Sequence, residues 1–372
     1  MKAVWIVAPL ATWVVDYSRN RHNNYKIFKY VFWNVLERRN LYLAYPEKYG
    51  DSNHYGPLFA LVIAPFALLP DAVGGLLWNA AMAGLLYLAI DRLGLTVERK
   101  LLVMLVCTVD LANANWSNQF NPAIAAFLLL TFAFVEEGRD FLAPLWILVG
   151  AFVKLYSGVG VLLLLFARDR RAFLLGCITW SALLFLAPMA LSSPGHIIQS
   201  YWDWYASLVE KNSLNVAMQS AQDVSLMGAV RRLSGFDVPN AWFLAVGLPL
   251  VLAPFLRVGQ YQHRPFRILT LASLLMFIVL FSSGSENATY VILGAGAGLW
   301  LAHQDEPFAP RNALLLAALL LAGLAATDLL SVPVRRFVNG YAVRAIPAAI
   351  VWILLCRDLL TRDFGQPAAG AA

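Results

Sequence analysis

Charge is scarce in this sequence. Lys, Arg, Asp and Glu make up only 13% of its 372 residues, about half the usual quarter of a soluble protein. A soluble globule of this length needs more polar surface than that to cover its core. Cysteine is scarcer still. Cys107, Cys177 and Cys356 stand alone in apolar stretches with no paired spacing, so no disulfide framework or metal knuckle is implied. The histidines His22, His54, His196, His263 and His303 show no HExxH spacing. No P-loop, GxGxxG or nucleophile elbow occurs, and no internal repeat is visible. These absences exclude a disordered chain, a collagen-like chain and a soluble two-domain enzyme.

What is present is apolar. Hydrophobic residues reach 60% and the mean hydropathy is +0.64. The pattern is that of an all-α, polytopic membrane protein whose core is shared with lipid. The net charge of +6 is scattered among apolar segments. It fits anionic lipid headgroups rather than nucleic acid.

A spanning helix needs roughly 20 apolar residues. Ten segments qualify or nearly do: 3–15, 72–91, 101–115, 120–135, 172–192, 241–257, 267–282, 288–303, 312–330 and 343–360. The first reads as an uncleaved helix, since no small-x-small site precedes Asp16. Residues 57–69, between Pro57 and Pro70, read as a half-membrane or interfacial helix. Residues 141–167 hold Lys154 at their middle, and an ammonium at the bilayer centre is costly. Two half-helices turning at Lys154 return the chain to its starting side. Irregular backbone at that depth is allowed where it lines a cavity.

The resulting topology places loops 16–71, 116–119, 193–240, 283–287 and 331–342 outside. Arg92, Arg99, Lys100, Arg139, Arg168, Arg170 and Arg171 then fall inside, in keeping with the positive-inside rule, although 16–56 alone carries seven Lys or Arg. The reading is one membrane domain over 1–362, with substantial outer loops 16–71 and 193–240 and a disordered tail over 363–372.

The first outer loop mixes cations, carboxylates and aromatics, among them Tyr25, Lys29, Phe32, Trp33 and Tyr55. Aromatic rings cover the apolar faces of sugars, carboxylates accept hydroxyl hydrogen bonds, and Arg and Lys bind phosphate. A carbohydrate-phosphate site and an interfacial aromatic belt both fit. Asp51 stands where the chain re-enters the membrane, placed to act as a general base on an acceptor hydroxyl. Its Gly-Asp-Ser-Asn setting is equally good turn chemistry. In NQFNP, Gln119 and Asn121 offer amides to a sugar, or cap the helix before Pro122. Lys154 needs an anion: a lipid-linked phosphate, a headgroup, or a buried carboxylate such as Asp110. Glu286 in SSGSENATY is a substrate contact or a turn residue. Arg231 and Arg232 grip phosphate or lipid, or are solvated.

These stretches resemble the polytopic glycosyltransferases of the GT-C type and, more closely, glycosyltransferase family 87, the alpha-mannosyltransferase-like membrane proteins. NNYKIFKYVFWNVLERRNLY followed by YGPLFALVIAPFALLP is similar to the family's first-loop pattern. NQFNP is similar to its Gln-x-Asn helix start. KLYSG is similar to its lysine-x-tyrosine-proline element, with Ser157 in place of proline. QDVSLMG and SGSENATYVI stand where its later outer-loop motifs occur. The resemblance spans roughly residues 20–300.

The resemblance implies a GT-C-like helical bundle. It implies an inverting hexosyltransferase, mannose favoured, that takes its sugar from a polyprenyl-phosphate donor. The acceptor is a lipid or glycan on the non-cytoplasmic face, as at a bacterial plasma membrane, with no cofactor and no metal. Asp51 is then the base. Asn24, Tyr25, Lys29, Tyr55, Gln119, Asn121, Lys154, Arg231, Glu286 and Tyr290 are the substrate-binding set. One departure stands out: the family's first-loop Asp is replaced here by Asn24, which cannot act as a base, so either Asp51 or Asp16 takes the role or the chain is a divergent, non-standard member. The ENATYVI segment also lacks the histidines common at that place. Two other readings remain open from the residues: a secondary transporter or lipid carrier, suggested by the intramembrane Lys154 and the broken helix, and a non-catalytic subunit of an envelope assembly.

Overall fold

The computed structural model describes residues 1–216, 222–327 and 329–365. Among these the chain is all-helical, with no strand. In chain order the α-helices are α1 (Lys2–Ser18), α2 (Asn23–Leu36), α3 (Phe59–Ala67), α4 (Asp71–Arg92), α5 (Val97–Trp116), α6 (Asn121–Glu136), α7 (Ala143–Val153) and α8 (Arg170–Leu186). They continue as α9 (Pro194–Val216), α10 (Leu226–Ser234), α11 (Asn240–Leu252), α12 (Arg264–Leu280), α13 (Tyr290–Ala302), α14 (Pro310–Leu324), α15 (Val332–Gly340) and α16 (Ala345–Thr361). Most of the tail expected to be disordered, from residue 366 on, lies outside the described residues.

Two compact units form. One comprises residues 2–93 and 114–213; the other comprises 94–113 and 214–372 together with Met1. In the first, α1 packs on α4, α4 on α6, α6 on α7, and α7 on α8, while α2 lies against α3. In the second, α12 packs on α13 and α16, and α14 on α16. α6, α12 and α13 are buried along nearly their whole length, as expected of helices apolar on every side.

Each of the ten apolar segments overlaps an α-helix. Two stretches, Asp71–Arg92 and Arg170–Ala190, are long and apolar enough to cross a membrane on those grounds alone. The others are shorter or interrupted, for local reasons. Residues 241–257 divide where α11, with Pro249 inside it, passes into a 3-10 turn at Ala253–Leu256 containing Pro254. Proline lacks the amide hydrogen that continues a helix. α5 has 20 residues but carries Glu98, Arg99, Lys100 and Asp110. Along Arg170–Ala190 most side chains lie exposed, Ile178 at 69%, an apolar surface that water does not favour.

The segment 141–167 reverses at Lys154. α7 ends there, Lys154 itself is extended (φ −147°, ψ 114°), and a 3-10 helix runs from Leu155 to Phe166. The two arms meet closely: Ser157 Oγ donates to the Ile147 carbonyl at 2.8 Å. A side chain at Gly150 would collide with Ser157 Oγ at 2.3 Å, so glycine is what lets the arms approach. The serine that stands in place of proline is therefore a structural tie between the arms.

The long polar loops hold more structure than their composition suggests. Residues 16–71 contain α2 and α3, 193–240 contain α9 and α10, and 331–342 contain α15.

Candidate functional site

The turn between α5 and α6 is the centre of the first unit's polar cluster. It reverses at Asn118, whose φ of 53° is left-handed, a conformation asparagine tolerates better than most residues. Four side chains hold it. Asn24 Nδ2 donates to the Ser117 carbonyl at 2.8 Å. Trp78 Nε1 donates to the Asn118 carbonyl at 2.8 Å. Asn118 Nδ2 donates to Asp16 Oδ2 at 3.0 Å. Tyr55 Oη donates to Gln119 Oε1 at 2.7 Å. No side chain caps α6. The amides of Gln119 and Asn121 are turned to other partners, and the simple capping role does not describe them.

Lys154 completes the cluster. Its Nζ donates to Asn121 Oδ1 at 2.9 Å and lies 5.7 Å from the Tyr55 ring centroid and 4.9 Å from that of Tyr156. Asp110, the buried carboxylate considered as its partner, pairs instead with Arg344 at 2.5 Å. Thus Tyr55, Gln119, Asn121 and Lys154, drawn from three separate stretches of the sequence, meet at one place. Beneath them lies an aromatic floor. Phe28 stacks on Tyr55 at 5.0 Å, Phe59 meets Tyr55 edge-on at 4.8 Å, and Trp78 stacks on Phe120 at 5.9 Å.

Several polar atoms around the turn are buried without a protein partner: Asn121 Nδ2, Asn118 Oδ1, Asn79 Oδ1 and both amide atoms of Asn115. Buried polar groups are paired as a rule. A concentration of orphaned amides marks a place suited to hydroxyl-rich matter, a sugar or ordered water.

The loop before α3 closes over this cluster. Gly56 N donates to the Val153 carbonyl at 3.0 Å, one residue before Lys154. A Cβ on Gly56 would fall 2.1 Å from the Phe152 carbonyl oxygen and 3.0 Å from the Trp204 ring. Trp204 Nε1 donates to the His54 carbonyl at 2.9 Å, and the His54 Nδ1–Ser207 Oγ distance is 2.7 Å. His54 was not singled out by sequence reasoning; its place directly before Tyr55 was the one available sign. Burial first, then the charges of Lys211 and Lys154, push its pKa down to about 4 against the opposing pull of Asp51. The ring is neutral at pH 7. Asp51 itself is exposed, and its Oδ1 accepts from Ser52 N at 2.8 Å.

Other expected site residues are engaged elsewhere. Lys29 pairs with Asp71 at 2.5 Å. Tyr25 is buried and donates to the Phe66 carbonyl at 3.0 Å. Arg231, Glu286 and Tyr290 belong to the second unit. There Arg231 is buried against Asp223 at 3.3 Å and also donates to Asn240 and to the Val238 carbonyl. Glu286 caps a short 3-10 turn reciprocally with Thr289. Tyr290 Oη donates to the Val224 carbonyl at 2.6 Å, and Val224 N donates to the Ser285 carbonyl at 2.7 Å. The motifs QDVSLMG and SGSENATYVI therefore meet each other. Arg344 lies over the Tyr290 ring at 3.7 Å and donates to Asn287 Oδ1 at 2.8 Å.

Among the described residues no three His, Cys, Asp or Glu side chains come close enough together to hold a metal ion. No curated protein matches the sequence. Residues 53–283 match the sequence profile of glycosyltransferase family 87. That stretch is more than half of the chain and includes Tyr55, Gln119, Asn121 and Lys154. With its apolar helices this points to a membrane protein, and the chain belongs to glycosyltransferase family 87.

Proposed function

We propose that this glycosyltransferase is a multi-pass membrane hexosyltransferase. It moves a hexose, mannose favoured, from a polyprenyl-phosphate sugar to a lipid or glycan acceptor on the non-cytoplasmic face of a bacterial plasma membrane. The observation that carries the reading is the convergence of Tyr55, Gln119, Asn121 and Lys154 beside buried amides without partners. Amides and aromatic faces suit a sugar; an ammonium among them suits the phosphate that leaves it.

The chemistry is an inverting displacement. A carboxylate takes the proton of the acceptor hydroxyl, whose oxygen attacks the anomeric carbon as the bond to phosphate breaks. Polyprenyl phosphate departs with the electron pair, and Lys154 opposes the charge that develops on it. Asp51 is the proposed base: it is open to an incoming acceptor and lies three residues from His54 on the closing loop. A second reading makes Asp16 the base. It is favoured because Asp16 and Asn24 reach adjacent residues of one turn, Asn118 and Ser117. Asp16 then stands beside the position where the family carries its first-loop Asp. Transfer by purified Asp51→Asn and Asp16→Asn proteins tests both. Loss of turnover in one variant, with thermal stability kept, assigns the base; full activity in both removes the carboxylate mechanism.

Carriage of a lipid-linked sugar is a competing reading, favoured by the backbone break at Lys154. Gradient-driven uptake into proteoliposomes without a new glycosidic bond supports carriage over transfer.

A further inference from the structure

α15 is amphipathic the wrong way round for a water-soluble surface. Val334 and Phe337, with Tyr341 at the C-cap, follow the i, i+3, i+7 spacing of one helical face. That face is turned outward: Val334 is 45% exposed, Phe337 56% and Tyr341 41%. Its two rings pack on each other at 5.3 Å. The opposite arc carries Asn339, and this polar side is the one tied to the protein. Asn339 Nδ2 donates to the Ala325 carbonyl at 3.0 Å, and Asn287 Nδ2 donates to Asn339 Oδ1 at 3.2 Å.

The helices on either side in sequence also expose apolar side chains. α14 exposes Leu314 and Leu321, and α16 exposes Ile346, Ile350 and Ile353 at successive turns. α15 itself has nine residues, so at about 1.5 Å per residue it is far too short to span a bilayer. Arg336 is exposed on the outward arc of the helix, whereas the preceding Arg335 is half-buried. An outward apolar face with an exposed arginine beside it matches the boundary between acyl chains and anionic headgroups.

We propose that α15 is an interfacial helix, lying in the headgroup layer of an anionic bilayer with Val334, Phe337 and Tyr341 inserted and Arg336 on lipid phosphate. Asn339 then fixes the Asn287 segment relative to that surface. The inference rests on the membrane reading above. The test is photocrosslinking of full-length protein carrying p-benzoylphenylalanine at Phe337, and separately at Val334. The vesicles contain equal parts phosphatidylethanolamine and phosphatidylglycerol. Ile178 on α8 serves as the control.

The expected result is a phospholipid adduct at both positions, enriched in phosphatidylglycerol roughly fivefold, with the enrichment lost in Arg336→Gln. Adducts at Ile178 but none at Phe337 or Val334, or adducts there with a second protein chain, overturn the proposal and leave the membrane reading standing. Lipid adducts without enrichment overturn the anionic assignment. Absence of lipid adducts at Ile178 as well overturns the membrane reading, and the proposal with it.

Discussion

Replacing Lys154 by Met separates binding chemistry from folding. Methionine keeps an apolar stem of similar length and removes the ammonium. Within the protein the loss includes the charged hydrogen bond from Nζ to Asn121 Oδ1 at 2.9 Å, nominally about 1.5–3 kcal/mol, and the ammonium's contacts with the Tyr55 and Tyr156 rings. The substitution also removes the cost of holding an ammonium away from water, which is of similar size and opposite sign. The net change in stability is expected within about 1 kcal/mol of zero. Toward a donor phosphate there is no such offset: a charge-assisted contact of about 1.5–3 kcal/mol disappears, roughly 10- to 150-fold in kcat/KM. Lys154→Arg keeps the charge with different geometry and should fall between the two. The assay is transfer at sub-saturating donor, paired with thermal unfolding in detergent. Unchanged kcat/KM in a folded Lys154→Met protein refutes the reasoning. So does a collapse of stability with no separable effect on turnover.

Three further predictions follow from the same region. Gly56→Ala places a Cβ 2.1 Å from the Phe152 carbonyl oxygen and should destabilise by about 1–3 kcal/mol; Gly195→Ala, with open space around its Cβ, is the near-neutral control in the same melt. His54 is held near pKa 4 against a usual 6.5, so the unfolded chain binds the extra proton between those values. Stability from this group is complete above pH 6.5 and is lost as pH falls toward 4, by about 2 kcal/mol between pH 7 and pH 5. His54→Gln should flatten that part of the pH–stability curve, and an unaltered slope contradicts the assignment. Tyr55→Phe removes the 2.7 Å bond to Gln119 and should cost about 1 kcal/mol in stability. It should also raise KM for the sugar substrate roughly fivefold if Gln119 is oriented by that bond; an unchanged KM detaches Gln119 from the site.

Much of the helical framework was legible because long apolar runs have few alternatives to helix. The break at Lys154 was legible for a related reason: a charge in an apolar run forces some departure from a plain span. Of the helices inside the polar loops, α3 was legible at 57–69, but α2 and most of α9 were not. α2 is rich in aromatics and cations, α9 contains YWDWY and several polar residues, and composition of that kind hides the 3.6-residue period. Tertiary pairings were also out of reach. Nothing local says that Asp110 pairs with Arg344, 234 residues away, or that Lys29 is taken by Asp71. Within the candidate site, the chemical types of Tyr55, Gln119, Asn121 and Lys154 were readable, while their meeting depends on the turn at Asn118 and the closure at Gly56. His54 escaped notice because an isolated histidine has no spacing partner until α9 brings Ser207 to it.

The central claim is donor identity, and one measurement tests it most directly. Purified protein in proteoliposomes is offered radiolabelled polyprenyl-phosphate mannose, polyprenyl-phosphate glucose or the corresponding nucleotide sugars, with a membrane lipid extract as acceptor source. The account predicts label moving into a new lipid or glycan product from a polyprenyl-phosphate sugar alone. Transfer from a nucleotide sugar without any polyprenyl intermediate contradicts it.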